Sequence, residues 1–206
     1  MYESAVWASV VVTLCSALYY VSRTWARAIQ PVLATWILVE TTLGLSMWMY
    51  FSDPASTWQA NIGLVSGFVG TGMMLVGAFV VEVRDHSVRV EFDAVQKRCL
   101  LIGALIVLFW MISENRIVSY VLVQLVAVAG YAATIDRLAR ASHATEPLVP
   151  WVLSFLGSML ALYPALTTGD VFSCIFLMRT IPSISLVIFL IVLTKRRSRR
   201  TIMVYE

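Results

Sequence analysis

Seven apolar stretches, at roughly 4–22, 31–51, 57–81, 99–112, 117–135, 148–167 and 171–194, follow one another with short polar interruptions. A helix that crosses a bilayer needs about 20 mostly apolar residues, and six of the seven runs reach or approach that length. The fourth is shorter and flanked by Arg98 and Glu114, so it must borrow a turn from a neighbouring loop. The pattern predicts an all-α membrane protein with seven transmembrane helices.

The interruptions carry the charge, and its sign gives an orientation. Lys and Arg accumulate in cytoplasmic loops. With the N-terminus outside, thirteen of the fifteen Lys and Arg fall in the inside loops and tail, including Arg23, Arg84, Arg137 and the run from Lys195. Arg116 alone falls outside, and Arg179 lies within span seven. A miscounted span would scramble this alternation, so span number and orientation (N-terminus out, C-terminus cytoplasmic) support each other. The segment from Glu82 to Arg98, with Val83, Val88, Val90, Phe92 and Val95 spread through it, reads either as an interfacial amphipathic piece or as a solvated loop. The basic tail is either a topology anchor or an attractor of anionic lipid.

Composition agrees. Of 206 residues, 60% are hydrophobic and 13% charged, about half the charged share of soluble domains. The spans consume nearly the whole chain and leave no room for a separate soluble domain. The first six residues hold Glu3 and no basic residue, whereas a cleaved secretory signal starts basic, so the first run is expected to be a retained helix. Cys15, Cys99 and Cys174 form no CxxC pair, and neither a disulfide framework nor a metal site is expected.

The chain also repeats itself. Arg23 and Arg27 follow span one, and Gln30-Pro31-Val-Leu-Ala-Thr-Trp36 opens span two. Arg137 and Arg140 follow span five, and Glu146-Pro147-Leu-Val-Pro150-Trp151 opens span six. The offset is 116 residues at Pro31 and Pro147 and 115 at Trp36 and Trp151. Spans two and six both end in an acidic turn, at Asp53 and Asp170. Three spans reverse the direction of the chain, so one intervening helix is needed to bring a second triplet into the same orientation. The expected organisation is therefore two parallel three-helix bundles joined by a linker helix (3+1+3): 1–81, a loop and linker helix at 82–116, 117–194, and a basic tail at 195–206. Parallel repeats about an axis along the membrane normal are a transporter architecture. Against the repeat stands the general suitability of Pro for a first helical turn and of Trp for the interface.

This plan, with the phrases at 30–38 and 146–153, resembles the SWEET sugar transporters and their PQ-loop and PnuC-type vitamin-transporter relatives. It also resembles a group of bacterial seven-span members of that clan, in which a segment like Phe92-Asp93 to Cys99, then Trp110, precedes spans four and five. The resemblance implies a transporter or facilitator of a small polar solute, sugar- or vitamin-like, working by alternating access in a bacterial inner (plasma) membrane. Pro31 and Pro147 or Pro150 fill the second-helix hinge positions, but spans one and five contain no proline and the Pro-Gln dipeptide is absent. Of the paired third-helix asparagines, Asn61 is one candidate and its partner position falls near Leu177.

Charges in hydrocarbon are costly and are functional candidates. Glu40 and Arg179 stand well inside spans two and seven, at depths of roughly 13 and 12 Å from opposite faces. A pair across a central cavity is geometrically possible, acting as a gate, with Glu40 a candidate for proton uptake in step with substrate. The bland reading is that each faces a water-filled crevice or snorkels. Trp36 and Trp151 are expected either to stack a ring-bearing substrate between them or to serve as interfacial anchors. Asn61 and Gln124 offer amides as substrate-binding groups or as helix–helix hydrogen bonds. Gly63 and Gly67 form a GxxxG that suits either a helix packed between two others or a dimer face.

No HExxH, GxSxG or phosphate-binding glycine loop occurs, His86 and His143 fall in loops, and span seven lacks a lysine for a Schiff base. Enzyme chemistry, a cofactor, a metal and a nucleic-acid partner are therefore not expected. The expected partners are a small-molecule solute, the lipid bilayer and a possible second copy of the chain. The alternative to transport is a non-transporting seven-helix sensor or scaffold.

Overall fold

The computed structural model describes residues 1–29, 31–54, 56–84, 94–113, 115–141 and 145–203, without the side chains of 110 and 198–203. Gln30, Glu114, His86, His143 and most of the 82–98 loop lie outside the described residues. Seven helices follow in order: α1 Tyr2–Trp25, α2 Leu33–Phe51, α3 Ile62–Arg84, α4 Ala94–Met111, α5 Arg116–Arg140, α6 Leu148–Thr168 and α7 Val171–Met203. Among the described residues there is no strand.

Five of these, α1, α3, α5, α6 and the Val171–Arg197 stretch of α7, are long and apolar enough to cross a membrane. Their exteriors are apolar: Val11, Val76, Val121, Leu166, Met178 and Phe189 point outward. Such a surface is tolerable against lipid and not against water. The interior carries the hydroxyls, as Ser9, Ser16, Thr35, Thr42 and Ser46 are buried between helices.

Helix ends follow local chemistry. Asn115 caps α5, its side chain accepting from the Ile117 and Val118 amides at 3.1 Å each. Gly169 adopts φ 65° after α6, and the Asp170 amide donates back to the Ala165 carbonyl at 3.2 Å. A residue without Cβ reaches this left-handed geometry without strain. Asp170 then caps α7 by accepting from the Ser173 amide at 2.8 Å. The helix over the fourth apolar run, α4, begins at Ala94, five residues before that run.

Boundaries differ from the sequence expectation in three places. α3 begins at Ile62, so Asn61 sits in the turn before the helix. Pro31 precedes α2, whose cap is Val32, and Pro147 is itself the cap of α6. Pro150 stands in the first turn of α6, and Pro164 in α6 and Pro182 in α7 fall deeper inside their helices, where the missing N–H removes a bond of the helical ladder. Finally, α7 continues through the basic run to Met203.

α3 packs against both α1 and α2, and α7 against both α5 and α6. Across the middle, α1 packs on α6 and α2 on α5, while α4 packs on α5 and more lightly on α2. Glycines set these approaches. A Cβ on Gly157 would stand 2.5 Å from Thr13 Oγ1, and one on Gly130 would stand 3.0 Å from Leu38 Cβ. Hydroxyls bond the seams: Ser9 donates to the Gly157 carbonyl at 2.9 Å and Thr35 to the Gly130 carbonyl at 2.8 Å.

Candidate functional site

The glycines of α3 open a central cavity. Gly63, Gly67 and Gly70 line it, together with Thr13 and Tyr20 of α1, Trp36 and Leu43 of α2, Tyr131 of α5, Trp151 and Ser158 of α6, and Phe176 and Arg179 of α7. Six helices contribute; α4 does not. The GxxxG faces inward: a Cβ on Gly63 would meet Ala161 at 3.1 Å and Phe176 at 3.2 Å, so it serves packing within the chain. The cavity holds about 70 Å³, room for a few waters and well short of the roughly 300 Å³ of a small ligand pocket.

Aromatics line the cavity near the starts of α2 and α6. Trp36 and Trp151 stack with centroids 6.0 Å apart and planes at 22°. A third ring between them would need about 7 Å, so in this conformation the indoles stack on each other rather than on a substrate. Glu146 locks them. It is 3% exposed, pairs with Arg137 at 3.1 Å, and accepts from Tyr20 at 3.5 Å and from the Trp151 indole at 3.4 Å. The Trp36 indole in turn donates to the Tyr20 hydroxyl at 3.3 Å. One carboxylate thus ties α1, α5 and α6 together, and through Tyr20 also α2. Burial pushes the Glu146 carboxyl up to about 7, against the opposing pull of Arg137 and the hydrogen bonds from Tyr20 and Trp151.

Polar contacts join the helices where α2 ends and α5 and α7 begin. The Tyr50 hydroxyl donates to Asp170 at 2.7 Å. Arg116 pairs with Asp53 at 2.9 Å, donates to the Met49 carbonyl and lies over Phe172. The Ser173 hydroxyl donates to the Ala60 carbonyl at 3.0 Å.

Arg179 lines the cavity from α7. Its Nε and one Nη donate to Gln124 Oε1 at 3.2 and 3.1 Å, and its guanidinium lies 5.1 Å from the Phe176 ring centre and 5.9 Å from that of Tyr131. Gln124 donates onward to Ser46 at 2.8 Å. Glu40 is engaged elsewhere: it accepts from Thr71 of α3, and Gly72 leaves the space for its carboxylate. The two intramembrane charges therefore do not pair. The reason is azimuthal: Trp36, Val39 and Leu43 of α2 line the cavity, whereas Glu40 turns toward α3.

Of the residues singled out from sequence, Trp36, Trp151 and Arg179 meet at the cavity, and Gln124 holds Arg179 from behind. Asn61 does not line the cavity; it is 1% exposed, and neither amide atom has a hydrogen-bond partner. Pro31 and Pro147 stand at the mouths of α2 and α6 rather than within them. Sequence reasoning missed Glu146, Tyr20, Arg137 and Tyr131. The available signal was that Glu146 directly precedes the repeated proline where the first copy has Gln30. Among the described residues no group of three or more His, Cys, Asp or Glu is placed to hold a metal ion. No protein-family model, curated protein or solved structure matches this chain.

Proposed function

We propose that this protein is a transporter or facilitator of a small polar solute that works by alternating access, its seven helices crossing the membrane as two parallel three-helix bundles joined by α4. The observation that carries this reading is a cavity that, among the described residues, is lined from α1–α3 and α5–α7 and not from α4. The packing pattern supports it as well: the relations of α1, α2 and α3 recur four helices later in α5, α6 and α7, and the two cross-pairings, α1 on α6 and α2 on α5, exchange under the same shift. A hollow between the Trp36, Trp151 and Glu146 cluster and the Tyr50, Asp170 and Arg116 contacts suits an occluded state between two open ones. By the distribution of Lys and Arg, the Glu146 end is cytoplasmic.

Thermal stabilisation of the purified protein by a panel of sugars, vitamins and amino acids tests this. The expected result is a saturable hit that disappears in Trp36→Ala. The small cavity favours a second reading, a non-transporting sensor or scaffold on the same architecture. That reading predicts no stabilising solute and a Trp36→Ala variant that changes stability alone.

A further inference from the structure

Among the described residues that line the cavity, Arg179 is a cation whose surroundings the transport reading leaves unexplained. The ion pairs among the described residues are Arg116 with Asp53, Arg137 with Glu146 and Arg140 with Asp136. Arg179 is absent from these although it borders the cavity. Its hydrogen bonds go to the carbonyl oxygen of a neutral amide, and its other neighbours are the Phe176 and Tyr131 rings. A guanidinium carries five N–H donors in a fixed fork; Gln124 and the Tyr131 hydroxyl, both neutral, engage part of it, and no carboxylate among the described residues engages the rest. A permanent charge inside the hydrophobic span is retained against a large desolvation cost, and neither neutral hydrogen bonds nor ring faces neutralise it.

We infer that the solute taken by this cavity is an anion, carrying a carboxylate or phosphate group that Arg179 neutralises by bidentate hydrogen bonding. This rests on the transport reading and narrows it. A guanidinium matches a planar carboxylate or a phosphate face, whereas a sugar hydroxyl leaves the charge uncompensated. The size of the cavity fits a small anionic headgroup better than a hexose. The flanking aromatic rings exclude water and strengthen the pairing.

A separate observation points the same way. The Asn61 amide and the Tyr120 hydroxyl lie beside one another, both buried and without a hydrogen bond of good geometry. Tyr120 stands beside Asn61 and Ser46 and within the field of Arg179. Buried polar atoms without partners are rare. Here Tyr120 lies within range of the Arg179 charge, and the two groups offer donors for an anion held there. The acidic side chains Asp170 and Asp53 are already engaged, Asp170 by Tyr50 and the Ser173 amide, and Asp53 by Arg116.

The test uses the full-length protein, first in detergent and then in proteoliposomes. Lactate, succinate and inorganic phosphate are compared with lactamide, succinamide and glucose, by thermal stabilisation and by uptake. At least one anion should stabilise and be taken up saturably, with its neutral amide counterpart weaker by at least about thirtyfold, the share a charge-assisted pair supplies. Arg179→Gln should abolish the difference between the two and Arg179→Lys should keep part of it. The wild-type comparison of lactate with lactamide or succinate with succinamide stands even if a variant fails to fold. Equal response to acid and amide, or to glucose alone, overturns the charge assignment and leaves transport intact. Anion binding unchanged in Arg179→Gln overturns the role of this residue. No saturable response to any probe overturns both this inference and the transport reading.

Discussion

Replacing Glu146 by Gln should remove a pH-dependent latch from the end of the protein where α2 and α6 begin. In the closed structure this carboxyl is buried and its protonation midpoint is raised from 4.5 to about 7, chiefly by loss of water. Opening that end hydrates the group and returns it toward 4.5, so opening releases a proton. The contribution of Glu146 to closure is then fully present below about pH 4.5 and is lost as pH rises through about 7. Between those limits each pH unit weakens closure by close to tenfold, to a total of roughly 3 kcal/mol or ~300-fold. Acid closes this end and alkali opens it. A glutamine is neutral at every pH, so Glu146→Gln should stay closed and pH-flat while keeping a polar partner for Tyr20 and Trp151. The assay is labelling of Ser154→Cys, a cavity-lining position, by a membrane-impermeant maleimide in a background lacking the three native cysteines. It is run from about pH 5 to about pH 8, as a ratio to a fully exposed control cysteine that cancels thiol ionisation. Accessibility should rise with pH in the wild type and not in Glu146→Gln. Identical pH profiles in the two proteins, or a wild type that closes as pH rises, would refute the reasoning.

Further outcomes follow from the same geometry. On the transport reading, Glu40→Gln should leave the pH profile of uptake in place, because Glu40 is bonded to Thr71 and does not itself line the cavity; a profile flattened by this change would restore Glu40 as the coupling group. Tyr50→Phe removes the bond to Asp170 and should cost about 1–2 kcal/mol, seen as a lower Tm together with greater accessibility of the cavity from the Asp170 end. Gly157→Val places side chain where Thr13 already stands at 2.5 Å from the Cβ position and should destabilise by about 1–3 kcal/mol. An exposed substitution such as Val76→Leu should leave Tm unchanged. An equal effect of the two in a thermal melt would contradict the close α1–α6 approach.

Trp36, Trp151, Gln124 and Arg179 were legible in the sequence as candidates, because a bilayer-length apolar run makes each polar or amphipathic residue conspicuous. Their grouping was not legible. Depth along a helix follows from counting residues at a fixed rise, and by depth alone Glu40 and Arg179 are level. Which way each points depends on rotation about the helix axis, and that is set by packing: α2 turns Trp36 inward and Glu40 toward α3. Glu146 escaped notice because it lies in a polar loop, where a carboxylate is ordinary. Only the approach of Tyr20, Arg137 and Trp151 from three other elements buries it.

The sequence by itself determined the helical class, the presence of bilayer-length apolar runs, the flanking basic residues and the repeated proline–tryptophan phrase, since each depends on residues near one another in the chain. The tertiary structure decided where helices end against one another, that Asn61 stands before α3 rather than inside it, and that Trp36 stacks on Trp151 while Tyr50 bonds Asp170. It also decided that Arg179 finds an amide in place of a carboxylate. These depend on distances between residues more than fifty positions apart. Periodicity carries no information at that range, and the glycine-set approach of one helix to another does.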